Sequence, residues 1–245
     1  TRREIIVLTD SSVHSMQFIG PPFTFGINQI STNTTAISPM GAVAVEDAVF
    51  WMGKNRFYIY EGRVQPIPCT VRDHVFNDLN EDAFEKVVAG VNSEFGEVFW
   101  FYPSASATEN DKYVVYNYEQ KIWYVGAFGR SAWVDRGIYE YPMASVATLI
   151  YNHEKTNDDD GTAMTSFIES SPIDIGDGDS FVFVQRLIPD ISFNNSETNA
   201  DNQAVFTIKG ERFPGTGYVT SKTVNVGDSA TQSFVRVRGR SFGVR

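Results

Sequence analysis

A short acidic segment holds the residues whose types and spacing come closest to a chemical site. Asp174, Asp177 and Asp179 lie in the sequence DIGDGD, and carboxylates beside a glycine turn suit a hard cation such as Ca²⁺. Their spacing matches no standard calcium loop, and Asp-Gly steps also form ordinary hairpin turns. We therefore expect a turn here, keep the three carboxylates as metal-ligand candidates, and predict no other metal site and no cofactor.

The histidines and the cysteine form no recognisable catalytic pattern. His14, His74 and His153 are scattered, with no neighbour at the spacing of zinc ligands. Cys69 has the surroundings of a small buried hydrophobic residue. The sequence contains no phosphate-binding loop. The sequence therefore predicts a protein that is not an enzyme and has no catalytic residues.

Abundant acids and tryptophans leave one enzymatic alternative open. Two carboxylates that flank a glycosidic bond would cleave it, and Trp100, Trp123 and Trp133 could stack on sugars. Large aromatic side chains more often pack into a protein core instead. A buried carboxylate pair over an aromatic floor would favour a carbohydrate-active protein, whereas scattered, solvated acids would favour a structural one.

Three arginines near the end of the sequence are candidates for a subunit interface. Arg236, Arg238 and Arg240 occupy alternating positions, so on a strand their side chains point to one face. They either dock on the acidic surface of a neighbouring subunit or form the solvated face of an edge strand.

The overall charge restricts the kind of partner. The formal net charge is −10 and the pI is about 4.8, which argues against a protein that wraps nucleic acid through phosphate contacts. Such a charge would still suit the wall of a channel through which DNA slides, because it repels the phosphates. A single cysteine rules out an intrachain disulfide, and no apolar run predicts a membrane span or signal peptide. The start without methionine predicts a fragment of a longer chain.

Short β-branched and aromatic runs between polar turns dominate the sequence and predict strands. A helical spacing of apolar residues predicts one short helix within residues 75–91. The ten predicted strands cover residues 5–8, 43–52, 57–60, 98–102, 113–118, 122–125, 145–151, 180–186, 204–209 and 233–238.

A repeat of about 50 residues indicates blades. The string AVFWM at 48–52 is echoed by EVFWF at 97–101 and more faintly by TLIY at 148–151, a period near that of kelch-type propellers. The following strands at 57–60 and 113–116 agree with this alignment. We therefore predict an all-β fold of antiparallel, β-propeller-like blades, complete or incomplete, with a β-sandwich of two similar hairpins as the alternative.

The composition changes after about residue 154. Residues 154–179 contain eight acidic residues and one lysine, with turn-forming runs at 157–161 and 174–179. From residue 192 the chain is richer in Asn, Ser, Thr and Gly. We predict propeller blades over residues 1–190 and an additional β segment over residues 191–245 that packs on or completes the propeller.

Several aromatic-rich strings extend along nearly the whole chain. They are FWMGKNRFYIYEGRVQPIPCTVRD at 50–73, EVFWFYPS at 97–104, NDKYVVYNY at 110–118, WY at 123–124, RSAWVDRG at 130–137, DIGDGD at 174–179 and RGRSF at 238–242. Together they resemble the tail nozzle, or packaged-DNA stabilisation, proteins of podovirus-type bacteriophages.

The resemblance implies a structural virion protein of the phage tail, made in the host cytoplasm. It implies a homo-oligomeric ring that contacts the tail adaptor and other tail proteins, prolongs the DNA channel, and retains packaged DNA until ejection without sequence-specific binding. The family has no catalytic residues to transfer, and its members are longer than this chain. Because clustered bases are few, we expect a neutral to acidic channel lining. A carbohydrate-binding or glycoside-cleaving propeller and a host receptor-binding tail tip are the alternatives.

Overall fold

The chain folds almost entirely as antiparallel β-sheet. The computed structural model describes residues 4–156, 158–159, 161–193, 203–227 and 230–245; residues 1–3 and part of the predicted turn at 157–161 lie outside these ranges. The all-β, blade-like fold is confirmed, and the described sheets do not close on themselves. The chain divides into two compact units, Thr1–Asp159 and Asp160–Arg245.

The first unit contains four successive sheets, in each of which the strands pair antiparallel in chain order. The first sheet contains β1 (Ile5–Leu8), β2 (Ser12–Phe18) and β3 (Phe25–Thr32). The second contains β4 (Ala42–Val45), β5 (Ala48–Met52), β6 (Phe57–Tyr60) and β7 (Val64–Ile67). The third contains β8 (Val88–Asn92), β9 (Glu97–Tyr102), β10 (Lys112–Asn117) and β11 (Ile122–Gly126). The fourth contains β12 (Ala132–Val134), β13 (Met143–Val146) and β14 (Leu149–Asn152). The short strand β15 (Asp158–Asp159) ends the unit.

The second, third and fourth sheets are arranged as consecutive blades. Strand β8 contacts both β4 and β12, so the first strands of the three sheets are neighbours, as the innermost strands of propeller blades are. Trp51 in β5 and Trp100 in β9 occupy matching positions opposite β4 and β8. The alignment of 48–52 with 97–101 is therefore confirmed.

The predicted alignment of the third copy of the repeat is wrong by one strand. The echo at 148–151 falls on β14, the third strand of its sheet, whereas β13 pairs with the first strand β12. Ala144 in β13 therefore holds the position of Trp51 and Trp100. A tryptophan is not needed there because the first strand supplies one, Trp133, as the partner of Ala144.

Each of the ten predicted strands overlaps a strand of the structure, but two of them are hairpins. The 43–52 run turns at Glu46 (φ 51°) and the 145–151 run turns at Ala147 (φ 49°). Both residues adopt left-handed backbone without being glycine. The continuous apolar composition on either side therefore hid the turns.

The predicted helix over 75–91 is wrong in extent. The structure has a five-residue helix α1 (Arg72–Phe76), a 3₁₀ segment (Glu81–Lys86) and then strand β8. The Asn80 side chain accepts a hydrogen bond from the Asp82 backbone N–H (3.0 Å), a local bond that competes with helix continuation. The apolar spacing marked residues that are buried, among them Val75, Leu79 and Val87, but not one continuous helix.

Aromatic side chains pack between successive sheets of the first unit. Trp51 belongs to a cluster with Val13 of the first sheet, and Trp100 to one with Phe57 of the second. Phe99, next to Trp100, points the opposite way and stacks on Trp133 of the fourth sheet, with ring centroids 5.1 Å apart. Neighbouring residues of one strand thus cover both adjacent sheets, because strand side chains alternate between faces.

The second unit is a smaller β structure with its own core. Its strands are β16 (Thr162–Ala163), β17 (Ile173–Asp174), β18 (Val182–Leu187), β19 (Gln203–Glu211), β20 (Tyr218–Gly227), β21 (Ser233–Gly239) and β22 (Ser241–Val244). One sheet has the order β17-β22-β19-β20, and β18 pairs with β21. The core residues are Ile208, Val235, Val237 and Phe242. The domain boundary predicted between residues 190 and 191 lies inside this unit.

A buried carboxylate connects two strands of the second unit. Glu211 is only 3% exposed, and its Oε2 accepts hydrogen bonds from the Ser241 hydroxyl (2.8 Å) and the Gly215 backbone N–H (3.1 Å). These donors offset the cost of removing the carboxylate from water.

Within the described ranges, helices are too short or too polar to cross a membrane.

Candidate functional site: an acidic cleft and an arginine face

An open cleft of about 950 Å³ lies against the second and third sheets of the first unit. Alternate turns of an antiparallel meander lie at the same end of the sheet, so the β4–β5 and β6–β7 turns come together. The first turn supplies Glu46 and Asp47, and the second supplies Glu61. The equivalent β10–β11 turn of the third sheet supplies Lys121. We call this the acidic cleft.

The walls of the acidic cleft are aromatic and apolar. Phe50 and Tyr118 stack with ring centroids 6.0 Å apart, and Tyr116 lies 6.2 Å from Phe50. Pro66 and Pro68 lie on the β7 side of the cleft. Such a surface can contact the apolar stem or the planar head of a long side chain.

The charges around the acidic cleft are mostly negative. Among the described lining residues, the acidic Glu4, Glu46, Asp47 and Glu61 outnumber the basic Lys121. Glu4 accepts a hydrogen bond from the Tyr60 hydroxyl (2.6 Å); burial, followed by this bond, raises the pKa of Tyr60 to about 12. The other three carboxylates are exposed, and none of them forms an ion pair with a described residue. The acidic cleft therefore favours a cationic group with an apolar body.

The second unit presents arginines and phenylalanines on one face of the β18–β21 pair. Val235 and Val237 point into the core, whereas Arg236 and Arg238 between and beyond them are exposed. Arg238 pairs with Phe183 across the strands. We use the name arginine face for the set Phe181, Phe183, Phe234, Arg236, Arg238 and Arg240.

Stacking orders part of the arginine face. The guanidinium of Arg238 lies 4.6 Å from the centre of the Phe181 ring, and that of Arg240 lies 5.0 Å from the same ring. Arg240 also lies 4.8 Å from the Phe213 ring. These cation–π contacts hold the charged heads in place without neutralising them.

The carboxylates of the described residues do not pair with the arginine face. Among the described residues, the carboxylates stay more than 4.0 Å from the nitrogens of Arg236, Arg238 and Arg240. The Nε of Arg240 is buried and has no hydrogen-bond partner in the described part of the chain. The predicted geometry is confirmed for Arg236 and Arg238, while Arg240 follows the end of β21 and shares the Phe181 ring with Arg238.

The outer face of the first sheet is apolar and open. Ile5 of β1 and Ile27 of β3 lie in register through Met16 of β2, on the face opposite Val13. Ile5 is 56% exposed and Ile27 is 66% exposed. Phe18 and Phe25 extend the same face, with ring centroids 5.9 Å apart. A sheet face of this composition normally packs against another sheet.

The acidic candidates for a cation site do not assemble. Asp174 pairs with Ser241 in the β17–β22 ladder, and Asp177 sits in a turn with φ 60°. The described residues contain no group of three or more His, Cys, Asp or Glu side chains that could hold a metal ion. Asp174, Asp177 and Asp179 are therefore not brought together. The segment forms a turn, as expected.

The candidate tryptophans and Cys69 pack in or against the core clusters of the first unit, as predicted. Trp100 is fully buried, and its Nε1–H donates to the Gly41 carbonyl oxygen (3.1 Å). Trp123 and Trp133 donate to Pro68 and Val91 carbonyl oxygens at 2.8 and 2.7 Å. Cys69 is half-buried against the same core, and burial raises the pKa of its thiol to about 11.

The sequence did not reveal the environment of His153. Arg130 Nε–H donates to His153 Nε2 (3.0 Å), and the Trp133 ring lies 4.8 Å from the imidazole. Burial, and then the Arg130 charge, lower the pKa of His153 to about 4. This histidine is therefore a neutral acceptor inside the fourth sheet's packing. His14 lies on β2 and His74 on α1.

Comparison with protein-family models and with curated proteins finds no match to this chain.

Proposed function

We propose that this protein is a structural subunit of a bacteriophage tail, a nozzle protein that forms a homo-oligomeric ring and prolongs the DNA channel. The observation that carries the proposal is the open stack of sheets in the first unit. Each sheet interior to the stack is covered by a neighbour on both sides, but the first sheet leaves Ile5, Phe25 and Ile27 uncovered. Such a unit is completed by a further sheet, and in a ring the next subunit supplies it.

The charge supports the same proposal. A net charge of −10 repels phosphates, so a ring of such subunits would let a duplex slide rather than adhere. Retention of packaged DNA and contact with the tail adaptor follow from the nozzle assignment. The aromatic strings at 50–73 and 97–118, which resemble the nozzle family, lie in the second and third sheets.

The open face offers a direct test. We expect Ile27→Lys to lower the fraction of chains in rings, because the substitution places a charge on the face that the neighbour covers. Ile138→Lys is the matched control, since Ile138 is 93% exposed and lies in the loop before β13. Mass photometry over a concentration series measures the ring fraction. Equal assembly of the two variants would contradict the proposed role of this face.

A carbohydrate-binding propeller is the second candidate, and the acidic cleft favours it. Tyr118 is half-buried at the wall of this cleft and provides a ring on which a sugar could stack. Glu46, Asp47 and Glu61 are exposed rather than a buried pair, which favours binding over cleavage. A glycan array with the wild-type protein and a Tyr118→Ala variant tests this candidate. Binding that is lost in the variant would support it.

A further inference from the structure

The exposed arginines of the second unit are prepared for an anionic partner. Arg236 and Arg238 project from one face of β21, and the Phe181 ring holds Arg238 at 4.6 Å. Ordering by an aromatic ring reduces the conformational entropy that a long side chain loses on binding. Described carboxylates do not pair with these guanidinium groups. Arg236 and Arg238 are exposed, so an anionic group of another molecule can reach them.

The acidic cleft of the first unit has the complementary chemistry. Exposed Glu46, Asp47 and Glu61 provide carboxylates that accept bidentate hydrogen bonds from a guanidinium group. Tyr118, which is half-buried and backed by the buried Phe50 ring, offers a ring beside them on which a guanidinium plane can lie. The volume of about 950 Å³ is large enough to admit arginine side chains.

We propose that the arginine face of one copy of this chain docks into the acidic cleft of a second copy. The two surfaces differ, so the contact is head-to-tail, and a head-to-tail contact closes into a ring when its rotation permits. The inference rests on the proposed function and specifies which surfaces meet. A chain with a net charge of −10 otherwise repels its own copies, so one cationic face also fixes their orientation.

A charge-reversal pair tests this contact on the whole chain. Arg238→Glu places a carboxylate opposite the carboxylates of the acidic cleft, and Glu61→Lys removes one of them and adds a cation. We expect each single variant to weaken self-association by about tenfold or more. The double variant Arg238→Glu/Glu61→Lys restores association toward the wild-type value, because the exchanged charges attract again.

Two matched controls separate this pairing from a general change in charge. Lys222→Glu reverses an exposed charge on β20, and Glu85→Lys reverses one in the 3₁₀ segment. We expect both to associate like the wild type. Sedimentation velocity across a concentration series measures association, and circular dichroism confirms that each variant is folded. The wild-type association also weakens at high salt, which screens the charges.

The outcomes separate this inference from the proposed function. Rings that persist unchanged in both single variants would overturn the inference and leave the nozzle proposal standing. Association that follows the charge exchange but yields only open oligomers would support the inference and count against the ring. A chain that stays monomeric at every concentration would overturn both. If Arg238→Glu abolishes binding to a DNA duplex and leaves self-association unchanged, the arginine face binds nucleic acid and the inference is overturned.

Discussion

Replacing His153 by glutamine should remove a pH dependence from the stability of the first unit. The imidazole accepts a hydrogen bond from Arg130 (3.0 Å) and is packed beside Trp133. A proton on Nε2 would break that bond and place a second charge next to the guanidinium. A glutamine carbonyl oxygen can still accept from Arg130, but it does not titrate in the same range.

The expected size follows from the pKa of His153, about 4 in the folded chain against an ordinary value of 6.5. Because the folded pKa is lowered, the unfolded chain binds the proton first. The stabilisation is therefore complete above pH 6.5 and is lost as the pH falls from 6.5 towards 4. With these two pKa values, the free energy of unfolding falls by about 2 kcal/mol between neutral pH and about pH 5. Since the ring is partly exposed to solvent, we expect about 1 kcal/mol.

Urea unfolding followed by tryptophan fluorescence measures this effect. Trp51, Trp100, Trp123 and Trp133 all lie in the first unit, so the signal reports on that unit. Between neutral pH and about pH 5, the wild type should lose about 1 kcal/mol more than His153→Gln does. Identical losses in wild type and His153→Gln would refute the reasoning.

Three further predictions concern packing and buried polar groups. Gly90→Ala should destabilise the first unit by about 1–3 kcal/mol, because its Cβ would lie 2.5 Å from Cγ of Trp133; Gly137→Ala, where a Cβ meets nothing within 4 Å, should change urea unfolding little. Trp100→Phe should cost about 1–3 kcal/mol in the same assay, because the smaller ring leaves a cavity in the core and the Gly41 carbonyl, which also accepts from the Met52 backbone N–H, loses one of these two donors. Ser241→Ala should cost about 1–3 kcal/mol in thermal unfolding of the second unit, because the buried Glu211 carboxylate loses a donor; no change in melting temperature would contradict this account of Glu211.

Much of the first unit could be predicted from alternation and repetition. The strings at 48–52 and 97–101 are buried on both faces, and their matching positions followed from the shared Phe-Trp step. The turns at Glu46 and Ala147 could not be predicted, because neither residue type marks left-handed backbone. The prediction of one helix over 75–91 was wrong because apolar spacing indicates which residues are buried. It does not show where a helix ends, and here the Asn80 side chain caps a separate 3₁₀ segment.

The candidate surfaces were predicted unevenly. Arg236 and Arg238 are two residues apart, and side chains at this spacing on a strand point to the same face. Their common face could therefore be predicted. The stacking of Arg240 on Phe181 and Phe213 depends on residues distant in sequence and had no local signal. The acidic cleft likewise joins turns from two sheets, so only the tertiary structure brings Glu61 and Lys121 to one site.

Cryo-electron microscopy of the chain expressed alone tests the central claim most directly. The nozzle account predicts closed rings in which copies meet head-to-tail around an axial opening wide enough for a DNA duplex, with a neutral to acidic lining. Isolated monomers, or rings whose opening is lined continuously by lysine and arginine, would contradict it.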